Sequence, residues 1–225
     1  MMNKNIFLAC DVSSQKEILK LLELIHEDIS GIKIGLQYIT GRSPNEIREL
    51  SKFNKPIFYD GKFFDIKNTL VESIKSLENL NIKYATVHLL NGLDALKAAN
   101  EAALKINLNL LGVSVLTSFS EEDLEGLGFR DKVEDQVIRL IKVAANANLH
   151  GIICSPLEVR MIKKISPNLK CFTPGIRMEK SGDDQKRTMN ANEAIKEGSD
   201  CLIIGRPITK GDPKTNIKNI LSSIE

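Results

Sequence analysis

Eight short apolar runs punctuate the chain: NIFLAC, GIKIG, KPIFYD, YATVHL, LNLLGVSVL, GIICS, LKCFT and DCLIIG. Their length and β-branched content predict strands buried on both faces, the pattern of a parallel sheet. Segments of helical period lie between them. Ile18, Leu22, Ile25 and Ile29 form one apolar stripe, and Ile66, Leu70, Ile74 and Leu77 a second. Val133, Val137, Leu140 and Ala144 form a third, and Ile217, Ile220, Leu221 and Ile224 a fourth. Ser14 with Glu17 predicts a capping box at the start of the first helix. Strands alternating with helices, with no linker rich in Pro, Gly or Ser, predict one α/β domain over residues 1–225, a (β/α)8 TIM barrel. A doubly wound open sheet is the alternative. Against it, the first strand runs into DVSSQ and lacks the glycine fingerprint of a dinucleotide fold.

Composition changes this picture little. The 225 residues are 42% hydrophobic and 27% charged with a formal net charge of +2, an ordinary globular balance. There is no basic run with interleaved aromatics, so nucleic acid is not an expected partner. The first apolar run is too short for a signal peptide or a membrane span, and no later run reaches that length. Cys10, Cys154, Cys171 and Cys201 sit singly in or at the ends of apolar runs, where cysteine acts as a small hydrophobe. With no C-x-x-C pair and no H-x-x-x-H among His26, His88 and His150, no metal is expected. Reduced, structural cysteines suit a cytoplasmic protein.

A barrel places its chemistry at the C-terminal ends of the strands. The residues there are Asp11 after the first strand, Lys33 in the second, and Asp60 with Lys62 after the third. His88 ends the fourth, Thr117 and Ser118 the fifth, TPGIR follows the seventh and GRP the eighth. Residues i and i+2 share a face in extended chain, so Asp60 and Lys62 both point to the mouth if extension persists. Lys33, on the neighbouring strand, reaches the same space. A carboxylate between two ammonium groups keeps all three ionised. The plainer readings stay open: Asp60 with Lys62 as a structural ion pair, Lys33 as a neutralising charge, Asp65 as the N-cap of the following helix. Lys67 reads as solvated.

Gly205 and Arg206, directly after the eighth strand, occupy a position that binds phosphate in many barrels, and Arg206 can add a charge-assisted contact. Residues 173–187, TPGIRMEKSGDDQKR, form a long polar loop with Gly175 and Gly182 that suits a lid or a plain surface loop.

Together these residues resemble the orotidine 5′-monophosphate decarboxylase family of the bacterial type, over nearly the whole chain. The resemblance rests on the Asp of ACDVSS, the KIG around Lys33, D-x-K-x-x-D-I-x-x-T from Asp60 to Thr69, LTS at 116–118, CSPLEV, TPGIR, DDQKR and IGRPIT. It implies decarboxylation of orotidine 5′-monophosphate to uridine 5′-monophosphate in a cytoplasmic homodimer, without cofactor or metal. Lys62 would protonate the carbanion at C6, and Asp60, flanked by Lys33 and Lys62, would lie against the substrate carboxylate. Asp65 would come from the other subunit to complete a Lys–Asp–Lys–Asp array, with Ile66 and Thr69 lining the same shared site. Asp11 and Lys33 would contact the ribose, and Thr117 or Ser118 the pyrimidine edge. Pro174 would form part of the lid's wall, while Arg177, Gln185, Gly205 and Arg206 would hold the phosphate.

The chain departs from the family pattern with Phe64 and Lys67 in place of His and Pro, HLLNG after the fourth strand, Met178 for a proline, and a lid one residue shorter. Rival readings are a magnesium-dependent sugar-phosphate enzyme of similar scaffold, such as a 3-keto-L-gulonate 6-phosphate decarboxylase or hexulose phosphate synthase, and a non-catalytic nucleotide-binding barrel.

Overall fold

The protein is described by a computed structural model covering residues 5–12, 14–177 and 188–224. Eight strands are all parallel and close in sequence order, β8 returning to β1. They are β1 Ile6–Cys10, β2 Gly31–Gly35, β3 Ile57–Phe63, β4 Ile82–His88, β5 Asn109–Val113, β6 Gly151–Ile153, β7 Lys170–Thr173 and β8 Cys201–Ile204. Each falls within one of the eight apolar runs except β3, which continues three residues past Asp60, and β4, which begins two residues before YATVHL. The closed barrel removes the open-sheet alternative.

The helices of the outer layer are α1 Gln15–Ile25, α2 Leu36–Ile39, α3 Pro44–Glu49, α4 Lys67–Lys75, α5 Leu93–Lys105 and α6 Glu121–Gly126. They continue with α7 Val133–Asn146, α8 Val159–Ile165, α9 Ala191–Lys196, α10 Arg206–Thr209 and α11 Pro213–Ser223. The first stripe buries as its period demands, with Ile18, Leu22 and Ile25 under α1 and Ile29 just beyond it. Ser14 caps α1 through its hydroxyl, which accepts the Glu17 N–H at 3.4 Å. The second stripe fails at its first member. Leu70, Ile74 and Leu77 are buried, but Ile66 precedes α4 and is 73% exposed, because the chain turns outward before the helix begins.

Strand alternation separates two apolar layers. Ile6, Leu8 and Cys10 of β1 face the helices, while Phe7 and Ala9 face the barrel axis. The rings of Phe7, Phe58 and Phe172 meet edge-on inside the barrel, 6.1 to 6.5 Å between centroids, and Tyr84 joins Phe7 at 5.7 Å. This plug closes the lower barrel. Gly31 is the residue beside it because a Cβ there would fall inside the Phe7 ring. On β2, β3 and β4 the next inward positions above the plug turn polar: Lys33, Asp60 and Thr86. The filled floor and the polar storey above it share one alternation.

Candidate active site

At the top of β3 the ladder is irregular. Tyr59 pairs with Ala85 and Phe63 with Val87, so four steps along β3 match two along β4. Lys62 takes the slack with φ of +46°, in the left-handed region. The other non-glycine residues at positive φ among those described are all asparagines, which tolerate that region well. A lysine there costs about 1–3 kcal/mol and persists only where neighbours hold it, a situation concentrated at functional sites. Extension therefore does not carry Asp60 and Lys62 to one face, as simple alternation expects. A bulged turn does, and it brings both side chains to the mouth.

There Asp60 Oδ2 lies 2.9 Å from Lys33 Nζ and 2.9 Å from Lys62 Nζ. Its other oxygen, Oδ1, accepts the Thr86 hydroxyl at 2.9 Å. The Asp60 side chain is only 8% exposed. Burial alone would raise its pKa, but the ammonium groups of Lys33 and Lys62 hold it down to about 2. Burial likewise works against a charged Lys33, and the carboxylates of Asp60 and Asp11 outweigh it, raising the lysine above its ordinary value. Lys33 Nζ stands 3.9 Å from Asp11 Oδ1. Gly35 leaves the room for this approach, since a Cβ there would sit 3.3 Å from that nitrogen. The buried carboxylate thus keeps two cations in one place. The Lys62 side chain remains 34% exposed and accessible from the cavity.

The loop after β3 is tied to β4. Asn91 Nδ2 donates to Phe63 O at 3.0 Å and to His88 O at 2.7 Å, and its Oδ1 accepts the Asp65 N–H at 3.1 Å. That is the use of the asparagine in HLLNG. His88 Nδ1 accepts the Leu90 N–H, and its ring lies 5.5 Å from that of Phe64. Burial and the nearby Lys62 charge lower the His88 pKa, favouring a neutral ring. Asp65 does not cap α4. Its Oδ1 accepts the N–H of the next residue, Ile66, at 2.7 Å, and Ile66 itself occupies the N-cap position. Lys67 pairs with Asp94 at 2.9 Å on the surface.

A cavity of about 220 Å³ opens above this cluster. Asp11, Lys33, Asp60, Lys62, Thr117, Pro174, Arg177, Gly205 and Arg206 all line it, as the sequence reading expects of a shared site. Asp65, Ile66, Ser118 and Thr69 do not; all are exposed outside its lining. Arg177 stands at the foot of the 173–187 loop, where its N–H bonds to Met189 O and the Met189 N–H to Gly175 O, joining the two ends. Residues 178–187, with Met178, Gly182 and Gln185, lie outside the described residues. The sequence reading missed the apolar walls Val113, Ile153 and Ile203. Inward alternation from Leu111 to Val113 and from Cys201 to Ile203 is the signal that marks two of them. Among the described residues no group of three or more His, Cys, Asp or Glu side chains forms a metal-ligand set, and no helix is long and apolar enough to cross a membrane.

A closed parallel barrel carrying a clamped carboxylate and a cationic rim at the strand ends has the layout of a barrel enzyme acting on an anionic small molecule. The comparisons give it a family. The model described as the orotidine 5′-phosphate decarboxylase / HUMPS family matches residues 4–220, and the chain belongs to that family. Among curated relatives, the orotidine 5′-phosphate decarboxylase of Wolbachia pipientis subsp. Culex pipiens is 37% identical over 221 residues, covering 97% of this chain and 98% of that protein. Its counterpart from the Wolbachia of Brugia malayi is 38% identical with the same coverage. The crystal structure of orotidine 5′-phosphate decarboxylase from Lactobacillus acidophilus superposes with a TM-score of 0.87 at 29% identity, covering 99% of this chain and 100% of that one.

Proposed function

We propose that the protein decarboxylates orotidine 5′-monophosphate to uridine 5′-monophosphate and CO2, in de novo pyrimidine biosynthesis and without a cofactor. The reading is supported by family membership across residues 4–220. The observation that carries it is the Asp60 carboxylate held at 2.9 Å by both Lys33 and Lys62 inside a cavity that Arg177 and Arg206 also line.

In this reading the arginines and Gly205 take the phosphate, with Gln185 joining from the loop, and Asp11 and Lys33 take the ribose. Thr117 meets the pyrimidine edge, and Pro174 walls the lid side. The bond from C6 to its carboxylate then breaks, its electron pair stays on C6, and CO2 departs. That pair occupies an sp² orbital with no conjugated sink, so fixed charge must stabilise it. The Lys62 ammonium does so and then transfers a proton to C6, leaving the neutral amine. An ammonium about 4 Å away at an effective dielectric near 20 supplies about 4 kcal/mol. Phosphate binding and exclusion of water supply further stabilisation.

The reading includes a homodimer in which Asp65, Ile66 and Thr69 of one copy complete the other's site. Its support is that all three are exposed outside the cavity, beside the apolar Phe64, itself 62% exposed. The same reading sets the protein in the cytoplasm, in keeping with four buried, free cysteines.

The test is loss of orotidylate absorbance in metal-free buffer containing EDTA. Turnover under those conditions is expected. Binding of uridine 5′-monophosphate with no loss of orotidylate absorbance favours the non-catalytic barrel, and activity lost with EDTA and restored only by magnesium favours the sugar-phosphate branch of the family.

A further inference from the structure

Thr86 sits on β4 between Tyr84 of the aromatic plug and His88 at the strand end, fully buried. Strand alternation turns its side chain into the barrel, under the charged cluster. The hydroxyl makes two hydrogen bonds, and both serve residues of β3. It donates to Asp60 Oδ1 at 2.9 Å and accepts the backbone N–H of Lys62 at 2.8 Å. The chemistry fixes these directions: an amide only donates, an ionised carboxylate only accepts, and the hydroxyl has one proton to give. With Oδ2 shared by the two lysines, both carboxylate oxygens are held. The accepted N–H is that of the single described lysine at positive φ, where the β3–β4 ladder slips.

We propose that Thr86 is a positioning residue for the reaction. Its hydroxyl fixes the Asp60 carboxylate and the left-handed Lys62 backbone in one arrangement, which aims the Lys62 amine at the substrate. A methyl group in place of the hydroxyl can make neither bond, and two buried polar groups lose their partner together. The rotamer of Asp60 and the turn at Lys62 then relax independently. Ligand contacts from Asp11, Arg177 and Arg206 do not pass through Thr86. The loss therefore falls on the chemical step and spares binding. The kinetic consequence rests on the decarboxylase reading; the bridge itself does not.

The test compares Thr86→Val, which keeps shape and drops the hydroxyl, with Thr86→Ser, which keeps the hydroxyl. Per folded molecule, Thr86→Val is expected to lower kcat about 10- to 100-fold, with KM and product affinity changing less than about twofold. Thr86→Ser recovers most of the rate. Hydrogen exchange at the Lys62 amide, followed by NMR, is protected in the wild type and in Thr86→Ser and accelerated in Thr86→Val. Should Thr86→Val accumulate unfolded, Thr86→Ala gives the same readouts. A Val variant with wild-type kcat, a Ser variant as impaired as the Val variant, or a Lys62 amide equally protected in both overturns the proposal. If the wild type turns over no orotidylate, the decarboxylase reading fails, and the amide exchange still decides the bridge.

Discussion

Replacing Asp60 with Asn tests the charge cluster through folding, apart from any substrate. The folded chain holds this carboxyl at about 2 against an ordinary 3.8. That lowering is worth about 2 kcal/mol of stability. A second route gives a similar size. Both lysine nitrogens lie 2.9 Å from one oxygen, so they are no more than twice that apart. Without the carboxylate, two ammonium groups about 6 Å apart at an effective dielectric near 20 repel by about 3 kcal/mol. Solvent at the partly exposed Lys62 screens this to about 1–2 kcal/mol. Asp60→Asn should thus cost about 2 kcal/mol near pH 7, read from urea unfolding with an unchanged slope.

The pH dependence has a definite sign. A lowered carboxylate pKa gives stability that is complete above the unfolded value, near pH 4, and lost as pH falls through about 2. The wild-type advantage should therefore shrink between pH 4 and pH 2. On the alkaline side, the raised Lys33 contributes stability below its ordinary 10.5 that disappears as pH rises past its folded value. Asn at position 60 removes most of that contribution. A gap between wild type and Asp60→Asn that stays the same at pH 7 and pH 2.5, or an Asn variant more stable at pH 7, refutes the clamped carboxylate.

Arg206→Ala should weaken binding of uridine 5′-monophosphate by about 1.5–3 kcal/mol while leaving uridine nearly unaffected, measured by titration calorimetry; equal losses for both place the phosphate elsewhere. If Asp65 crosses between copies, Lys62→Ala and Asp65→Ala should each be nearly inactive alone. Refolded together in equal amounts they should recover about a quarter of wild-type activity, because half the dimers are mixed and each mixed dimer holds one intact site. No recovery places Asp65 in its own chain's site.

The strands were readable because burial on both faces leaves an unbroken apolar run, and the charges were readable because each lay in or directly after such a run. The path of β3 was not. Nothing in FYDGKFFD announces that Lys62 adopts positive φ, a state imposed by Thr86 and the slipped ladder and therefore tertiary in origin. Ile66 fits a helical period perfectly well, yet it lies just before α4 and faces solvent, since periodicity says which positions align and not where the helix begins. Asp65 fails as a cap for the same reason, the helix starting one residue later than a cap at that position requires. Thr86 was invisible as chemistry: one threonine within YATVHL reads as an ordinary strand residue. Its importance depends on what stands opposite on β3.

In the proposed reaction the Lys62 side chain exchanges a proton with C6 of the pyrimidine. By microscopic reversibility the same amine should remove the C6 proton of the product, so uridine 5′-monophosphate held on the enzyme in D2O should lose its C6–H signal in the proton NMR spectrum. Slow exchange is expected with the wild type, and none with Lys62→Ala at saturating nucleotide, where binding should persist. Exchange at C6 by Lys62→Ala at the wild-type rate contradicts the proposed proton transfer.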